Sequence, residues 1–143
     1  GSVVNKVVYV ENVGSGEFYT RVKITPEVVA ENGEIIPLDA SERLLTLDLN
    51  DTDWIDGEGG YYYYHGAVDP KTATTKLFKQ VKFSKDMGNE YQNATVHIYV
   101  TAEAVQTANL EKYAANDVRD VWKHVGAVEV NTSSTQIDPI PTP

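Results

Sequence analysis

Short runs in which hydrophobic and polar residues alternate recur along the chain, and this period of two is typical of β-strands that bury one face. The clearest run covers residues 95–104, and others cover residues 18–25, 45–49 and 77–83, while residues 6–11 form a run rich in β-branched residues that is also typical of a strand. In the clearest run, the side chains expected to point inward are those of Val96, Ile98, Val100, Ala102 and Ala104. The runs at 6–11 and 18–25 are separated by a Gly-rich turn signal, so we expect them to form a hairpin.

Residues 53–84 form the stretch around which we expect the sheets to be organised: a turn, an aromatic strand, a polar loop and a second strand. The glycines that follow Asp56 favour a tight reversal, because glycine tolerates a positive φ. Alternate side chains of a strand point to opposite faces, so one pair of the tyrosines Tyr61–Tyr64 can fill a core while the other pair coats the outside. The stretch is therefore interpreted as scaffold.

The hydrophobic period changes only between Thr107 and His124, where apolar residues recur at steps of three and four. This spacing predicts one or two short helices, followed by a final strand over residues 127–130. Many short strands with a single helical insert predict a mainly all-β fold. Its expected architecture is an antiparallel β-sandwich of jelly-roll or Greek-key type, with one or two short helices inserted before the last strand.

The length of 143 residues fits one domain. Residues 1–4 are interpreted as a cloning remnant that retains the end of a truncated N-terminal segment, and residues 5–130 as the β-sandwich domain. Residues 131–143 are rich in Ser, Thr and Pro, which indicates a linker or tail.

The charge balance of 12 basic against 21 acidic residues, a net charge of −9, disfavours nucleic acid as a partner. No apolar run approaches the roughly 18 residues of a membrane span, so membrane insertion is not expected. The chain has no cysteine, which excludes disulfides, thiolate metal sites and cysteine nucleophiles.

Catalytic motifs such as GxSxG, HExxH and the P-loop are absent from the sequence, so no catalytic residue and no enzymatic activity are expected. The acidic loop made by Asp51, Asp53, Asp56 and Glu58 could supply oxygen ligands to Ca²⁺, but its spacing departs from the EF-hand order. A solvated turn is the favoured interpretation and no cofactor is expected, with calcium as the alternative.

The aromatic residues Trp54, Tyr61, Tyr62, Tyr63 and Tyr64 allow a second alternative, a carbohydrate-binding face. Large aromatic side chains of a sandwich more often fill the core or coat the sheet, so packing is the favoured interpretation.

Three local patterns together resemble the TasA/camelysin family, exported proteins of Gram-positive bacteria that travel with a dedicated signal peptidase. The first pattern is a strand with an Asn-x-Gly turn at residues 5–14, followed by the Tyr-Arg strand at 18–22. The second is Asp56 and Gly57 before the four tyrosines, with the Thr-rich loop and Leu-Phe strand at 74–81. The third is the Ala-Val-Gln ending of residues 98–106 with the later Trp122. Departures are Pro70-Lys71, where the family usually has Pro-Gly, and a short loop between Asn89 and Gln92.

The resemblance implies a jelly-roll domain outside the cell, at the cell surface or in the biofilm matrix. It also implies self-association into fibres, or contact with other surface proteins, in which a donated strand from one subunit completes the sheet of the next. An unpaired strand edge favours such addition. The residues expected to form the edge or donor strand are Val3, Val4, Lys6, Val7 and Val8.

A further alternative is a pilin-type domain stapled by an isopeptide bond between a lysine and an asparagine. Lys6 or Lys23 on an early strand and Asn131 late in the chain are the candidates for this bond.

Overall fold

The computed structural model describes residues 3–36, 45–84, 91, 93–126 and 128–137, and this part of the chain holds nine strands and two short helices. The strands are β1 (Val3–Val8), β2 (Phe18–Val29), β3 (Ile35–Ile36), β4 (Leu45–Leu47), β5 (Trp54–Asp56), β6 (Tyr61–Tyr64), β7 (Phe78–Phe83), β8 (Thr95–Gln106) and β9 (Glu129–Ile137). Between β8 and β9 lie the helix α1 (Glu111–Ala114) and a 3₁₀ helix (Val118–Lys123).

The strands form two antiparallel sheets. The small sheet has the order β1-β7-β4, and the large sheet has the order β5-β6-β2-β8-β9 with β3 added to β2. The long pair β2 and β8 is in register from Phe18 opposite Gln106 to Val29 opposite Thr95, and forms the middle of the large sheet. The predicted fold class is confirmed: an antiparallel β-sandwich with short helices before the last strand.

The core lies between the two sheets and is built from aliphatic and aromatic side chains of both. β-Branched and aromatic residues suit this position because they pack well on a pleated surface. Those larger than alanine and at or below 1% exposure are Val22, Val28, Leu77, Phe78, Val81, Phe83, Val96 and Ile98. Each such side chain contributes roughly 1.5–3 kcal/mol on burial, so this cluster dominates stability.

The predicted hairpin between the first two strands is wrong. β1 pairs with β7 in the small sheet, whereas β2 lies in the large sheet. The segment after β1 does not fold back onto β1. It runs alongside residues 71–74, and the backbone N–H of Asn12 donates to the carbonyl of Thr72 at 2.9 Å. The Gly-rich turn at 14–16 therefore carries the chain from one sheet to the other.

Residues 131–137, which the composition assigns to a linker or tail, form most of β9 instead. β9 pairs with β8 from Glu129 opposite Ala104 to Ile137 opposite Val96. Threonine is a good strand former, so a Ser/Thr-rich run can add to a sheet edge once a partner strand is present. Residues 138–143 lie outside the described residues, as do residues 1 and 2. Residues 3 and 4, grouped with the N-terminal remnant, are the first two residues of β1.

The turn between β5 and β6 uses positive φ at Glu58, Gly59 and Gly60, whereas Gly57 has no positive φ. The Gly60 carbonyl accepts a hydrogen bond from the backbone N–H of Ile24 at 2.9 Å. A Cβ atom on Gly60 would lie 2.8 Å from the Ile24 carbonyl oxygen, so this position requires glycine. The turn fixes β6 against β2, with Tyr61 opposite Lys23.

Candidate functional site

The inner face of β8 is covered along only half of its length. Val96, Ile98 and Val100 are 0%, 1% and 7% exposed, but Ala102 and Ala104 on the same face are only partly buried. The core therefore ends at about Ala102, in the middle of a continuous strand.

The reason is a difference in width between the two sheets. The small sheet ends at β1, and no described strand pairs with the other edge of β1. The large sheet extends to β9, so its inner face continues beyond β1 along β8 and β9. The two sheets leave one side of the sandwich open.

A groove of about 1030 Å³ occupies this open side. Residues 6–16, which comprise part of β1 and the loop after it, form one wall, and residues 129–131 of β9 form the other. The floor consists of inward side chains of the large sheet: Phe18, Thr20, Val22, Val100, Ala102 and Ala104. A second cavity of about 770 Å³ near α1 shares Phe18, Ala104, Gln106 and Glu129 with the groove.

Asn12 fixes the wall that follows β1. The residue is 1% exposed. The Nδ2 group donates to the carbonyls of Gly16 at 2.8 Å and Val68 at 2.9 Å, and Oδ1 accepts from the Gly14 N–H at 3.0 Å. Because a buried amide with every group paired resists displacement, the wall is a fixed part of the fold. The only signal for Asn12 in the sequence is the Asn-x-Gly turn, which gives no indication of burial.

The outer face of β8 shows the opposite burial. Val105, in the half whose inner face is open, is 7% exposed and packs with aromatic residues of β2 and β6 and with the 3₁₀ helix. The other buried members of this cluster are Tyr19, Tyr63, Val118, Val121 and Trp122. The helices therefore pack against the outer face of β8 in the half whose inner face is open.

Arg21 joins this cluster to β8. Its guanidinium lies 4.5 Å from the ring centroids of both Tyr61 and Trp122, and its Nη2 is 2.7 Å from Oε2 of Glu103. Burial lowers the pKa of Arg21, but its hydrogen bonds to Tyr63 and Glu103 outweigh that effect and raise the pKa above its ordinary value. Through these contacts Arg21 holds the 3₁₀ helix against the outer face of the large sheet.

The residues predicted to form an edge strand all lie in β1, at the edge of the small sheet. Val3 and Val7 point outward and are 51% and 46% exposed, whereas Val4 and Val8 contact the core and Lys6 lines the groove. Their part in assembly stays a prediction.

The acidic loop does not bring its four carboxylates together. Asp53 Oδ2 accepts hydrogen bonds from Asn50 and Thr75, which lower the pKa of Asp53, and Asp56 accepts from the backbone N–H of Glu58. Asp51 is exposed to solvent. In the described part of the chain, no three His, Asp or Glu residues form a group that could hold a metal ion.

The predicted aromatic face is divided between two sides of the large sheet, as the alternation of the tyrosines indicates. Trp54, Tyr62 and Tyr64 pack against the core, with the rings of Trp54 and Tyr64 5.1 Å apart. Tyr61 and Tyr63 belong to the outer cluster, and the Tyr63 ring lies 6.3 Å from that of Trp122. Burial raises the pKa of Tyr62. These residues therefore present no single flat surface to a sugar.

The isopeptide candidates differ in position. Asn131 is opposite Ala102 on the inner face, and both Asn131 and Lys6 line the groove. Lys23 lies on the outer face, with its Nζ 5.3 Å from the Tyr61 ring centroid, so Lys23 and Asn131 are on opposite sides of the sheet. Of the two lysines, Lys6 alone shares a cavity with Asn131.

Comparisons with known proteins give no match: no family model, no curated protein and no solved structure is similar to the chain. Neither helix of the described residues has the length and hydrophobicity that a membrane crossing requires.

Proposed function

We propose that the protein is a non-enzymatic, extracellular structural or adhesion subunit that assembles through strand-edge contacts. Its expected location is the cell surface or biofilm matrix of a Gram-positive bacterium, as in the TasA/camelysin family that its sequence resembles. The observation that supports this proposal is the groove between β1 and β9, which joins the edge of β1 that no described strand pairs with to a floor rich in aliphatic side chains.

The chemistry of the groove favours an extended polypeptide as its occupant. An edge strand presents a row of N–H and C=O groups that an added strand can pair with. The floor beside that edge carries the methyl groups of Ala102 and Ala104 and the aliphatic side chains of Val22 and Val100. An inserted strand pairs its backbone with β1 and buries alternate side chains against the floor. It thereby satisfies the backbone hydrogen-bonding groups of β1 and covers the apolar surface of the floor.

The test is assembly of the protein as its own cells produce it, followed by electron microscopy and light scattering. Filaments or defined oligomers are expected for the wild type, and Ala104→Lys should abolish them. The added cation lies opposite Glu129, so the variant should fold while its side chain occupies the floor.

The matched control is Thr132→Lys, which adds the same charge on the outer face of β9, opposite Thr101. This variant should assemble like the wild type. A wild-type protein that stays monomeric would contradict the fibre function. Assembly of the Ala104→Lys variant would show that the groove is not the site of assembly. Thermal melting of both variants checks that they fold.

The shared cavity of Lys6 and Asn131 supports a second candidate, a pilin-type domain closed by an isopeptide bond. Formation of that bond joins Lys6 Nζ to Asn131 Cγ and releases one ammonia. Intact-mass spectrometry measures this loss directly, and a mass equal to that of the unmodified chain excludes the bond.

A further inference from the structure

We propose that the groove selects its partner by side-chain size. The occupant is an extended segment that carries bulky aliphatic side chains at the alternating positions facing Ala102 and Ala104, and no acidic side chain at those positions. This inference rests on the proposed function only in treating the groove as the site of strand addition.

The free side of β1 and the inner face of the large sheet line the groove together. Residues 6–16 and residues 129–131 of β9 are both among its lining residues. A strand that pairs with the edge of β1 that no described strand occupies lies over β8, and its inward side chains face Ala102 and Ala104. An extended segment therefore contacts both surfaces.

The floor explains the requirement for large side chains. Facing sheets lie about 10 Å apart, so the volume between them is shared by the side chains of both sheets. In the closed half, Val96 and Ile98 fill part of that space, whereas Ala102 and Ala104 fill much less of it in the open half. The missing volume has to come from the occupant, because packing voids are unfavourable.

The polar group of Thr20 does not interrupt this floor. Its Oγ1 donates a hydrogen bond to the Glu103 carbonyl at 2.8 Å, and the residue is 1% exposed. With its hydroxyl paired, Thr20 makes no polar demand on an occupant. Because Thr20 is already buried and its hydroxyl is paired, it leaves no polar group in the floor unpaired when an apolar side chain occupies the groove.

The charges of the groove disfavour an acidic occupant. Glu129 lies opposite Ala104 on the inner face, and Glu11 lies on the β1 side, whereas Lys6 is the one basic residue among the described lining residues. Glu103 is engaged by Arg21 on the outer face. A carboxylate placed over Ala104 would approach Glu129, and like charges repel at short distance.

Three synthetic peptides of about eight residues, within the usual length of a strand, test the size rule. Each alternates threonine with valine, alanine or glutamate at the positions that would face the floor. Binding to the unassembled wild-type protein is measured by fluorescence anisotropy, and the site is mapped by chemical-shift changes. The valine peptide should bind at least about tenfold more tightly than the alanine peptide, because each extra buried methyl adds to affinity. The glutamate peptide should bind most weakly.

The size-swap variant Ala104→Leu should reverse the order, so that the alanine peptide binds more tightly than the valine peptide. Thr132→Leu adds the same side chain on the outer face and should keep the wild-type order. Ala102→Val replaces Ala104→Leu if thermal melting shows that the latter does not fold, and it should at least remove the preference for valine.

Equal binding of the three peptides, absence of binding, or an unchanged order in the folded size-swap variant would each overturn the inference. Filament formation is scored separately. Filaments without the size preference refute the inference alone, and the size preference without filaments refutes only the fibre function.

Discussion

The two halves of β8 follow the same alternating pattern but bury opposite faces. From Thr95 to Val100 the inner side chains are buried, whereas His97 and Tyr99 on the outer face are partly exposed. From Ala102 to Gln106 the inner side chains are open to the groove, and Val105 on the outer face is buried under the helices. Alternation therefore defines two faces, and the element that lies across each face decides which of them is buried.

Because of this difference, one half of β8 serves stability and the other half is available for interaction. The closed half lies between two sheets and contributes to the core, while the open half is held from behind and leaves its inner face to the groove. A substitution should therefore have different consequences at equivalent positions of the two halves.

The largest expected effect is that of Ile98→Ala in the closed half. Ile98 is 1% exposed, so its truncation leaves a cavity and should lower the free energy of unfolding by about 2–5 kcal/mol. Urea denaturation measures this change. The control is Ala104→Ser on the same face of the open half, which should change stability by no more than about 0.5 kcal/mol, because its hydroxyl reaches the groove. Equal losses at both positions would contradict the division of β8.

An intermediate effect is expected for Arg21→Gln, which tests the support behind the open half. The substitution leaves the Glu103 carboxylate, 14% exposed, without its cation and removes the contacts with Tyr61 and Trp122. The expected loss is about 1–3 kcal/mol, from the unpaired charge and the lost cation–π contacts.

The second variant in this test is Arg21→Gln combined with Glu103→Gln, which removes both charges. It should recover part of the stability lost in Arg21→Gln, as read by the same urea titration. A double variant that is less stable than Arg21→Gln would show that the ion pair is not the source of the loss.

The smallest expected effect is a loss of stability at acidic pH. It arises at the 3₁₀ helix, which packs against the outer face of the open half of β8. Asp117 caps the 3₁₀ helix, and hydrogen bonds from Arg119 lower the pKa of Asp117 to about 2. The folded pKa lies below the unfolded value of about 3.9, so the stabilisation is fully present above about pH 4. It is lost as the pH falls towards 2.

A carboxyl NMR titration measures the pKa of Asp117 directly. Arg119→Gln should return it towards the ordinary range, whereas Lys123→Gln should shift it less, because the contribution of Lys123 is the smallest. An unchanged titration in the Arg119→Gln variant would show that Arg119 is not the cause.

Much of the fold was predictable because its signals are local. Alternation identified the strands that became β2, β7 and β8, the change of period identified the helical insert, and the tyrosine run became β6 with two faces. The Ser/Thr-rich residues 131–137 were not recognised as a strand, because their pairing depends on β8, far away in the sequence.

The candidate site was predictable only in part. The family resemblance led to the expectation of an edge or donor strand at Val3–Val8, but Asn12, Ala102 and Ala104 carry no signal of a groove. Asn12 is typical of a turn, and the two alanines continue a pattern that predicts burial. The hairpin expected between β1 and β2 would have placed these two strands in one sheet. The groove between β1 and β9 would then not exist.

The sequence by itself determined where β2, β7 and β8 are extended, which of their side chains share a face, and that one helical segment precedes the last strand, because these depend on a period set by backbone geometry. Only the tertiary structure decided that β1 and β2 belong to different sheets, that the small sheet stops before the large one, and that β8 changes its buried face at Ala102. Those features depend on contacts between residues distant in the chain, and no local pattern encodes them.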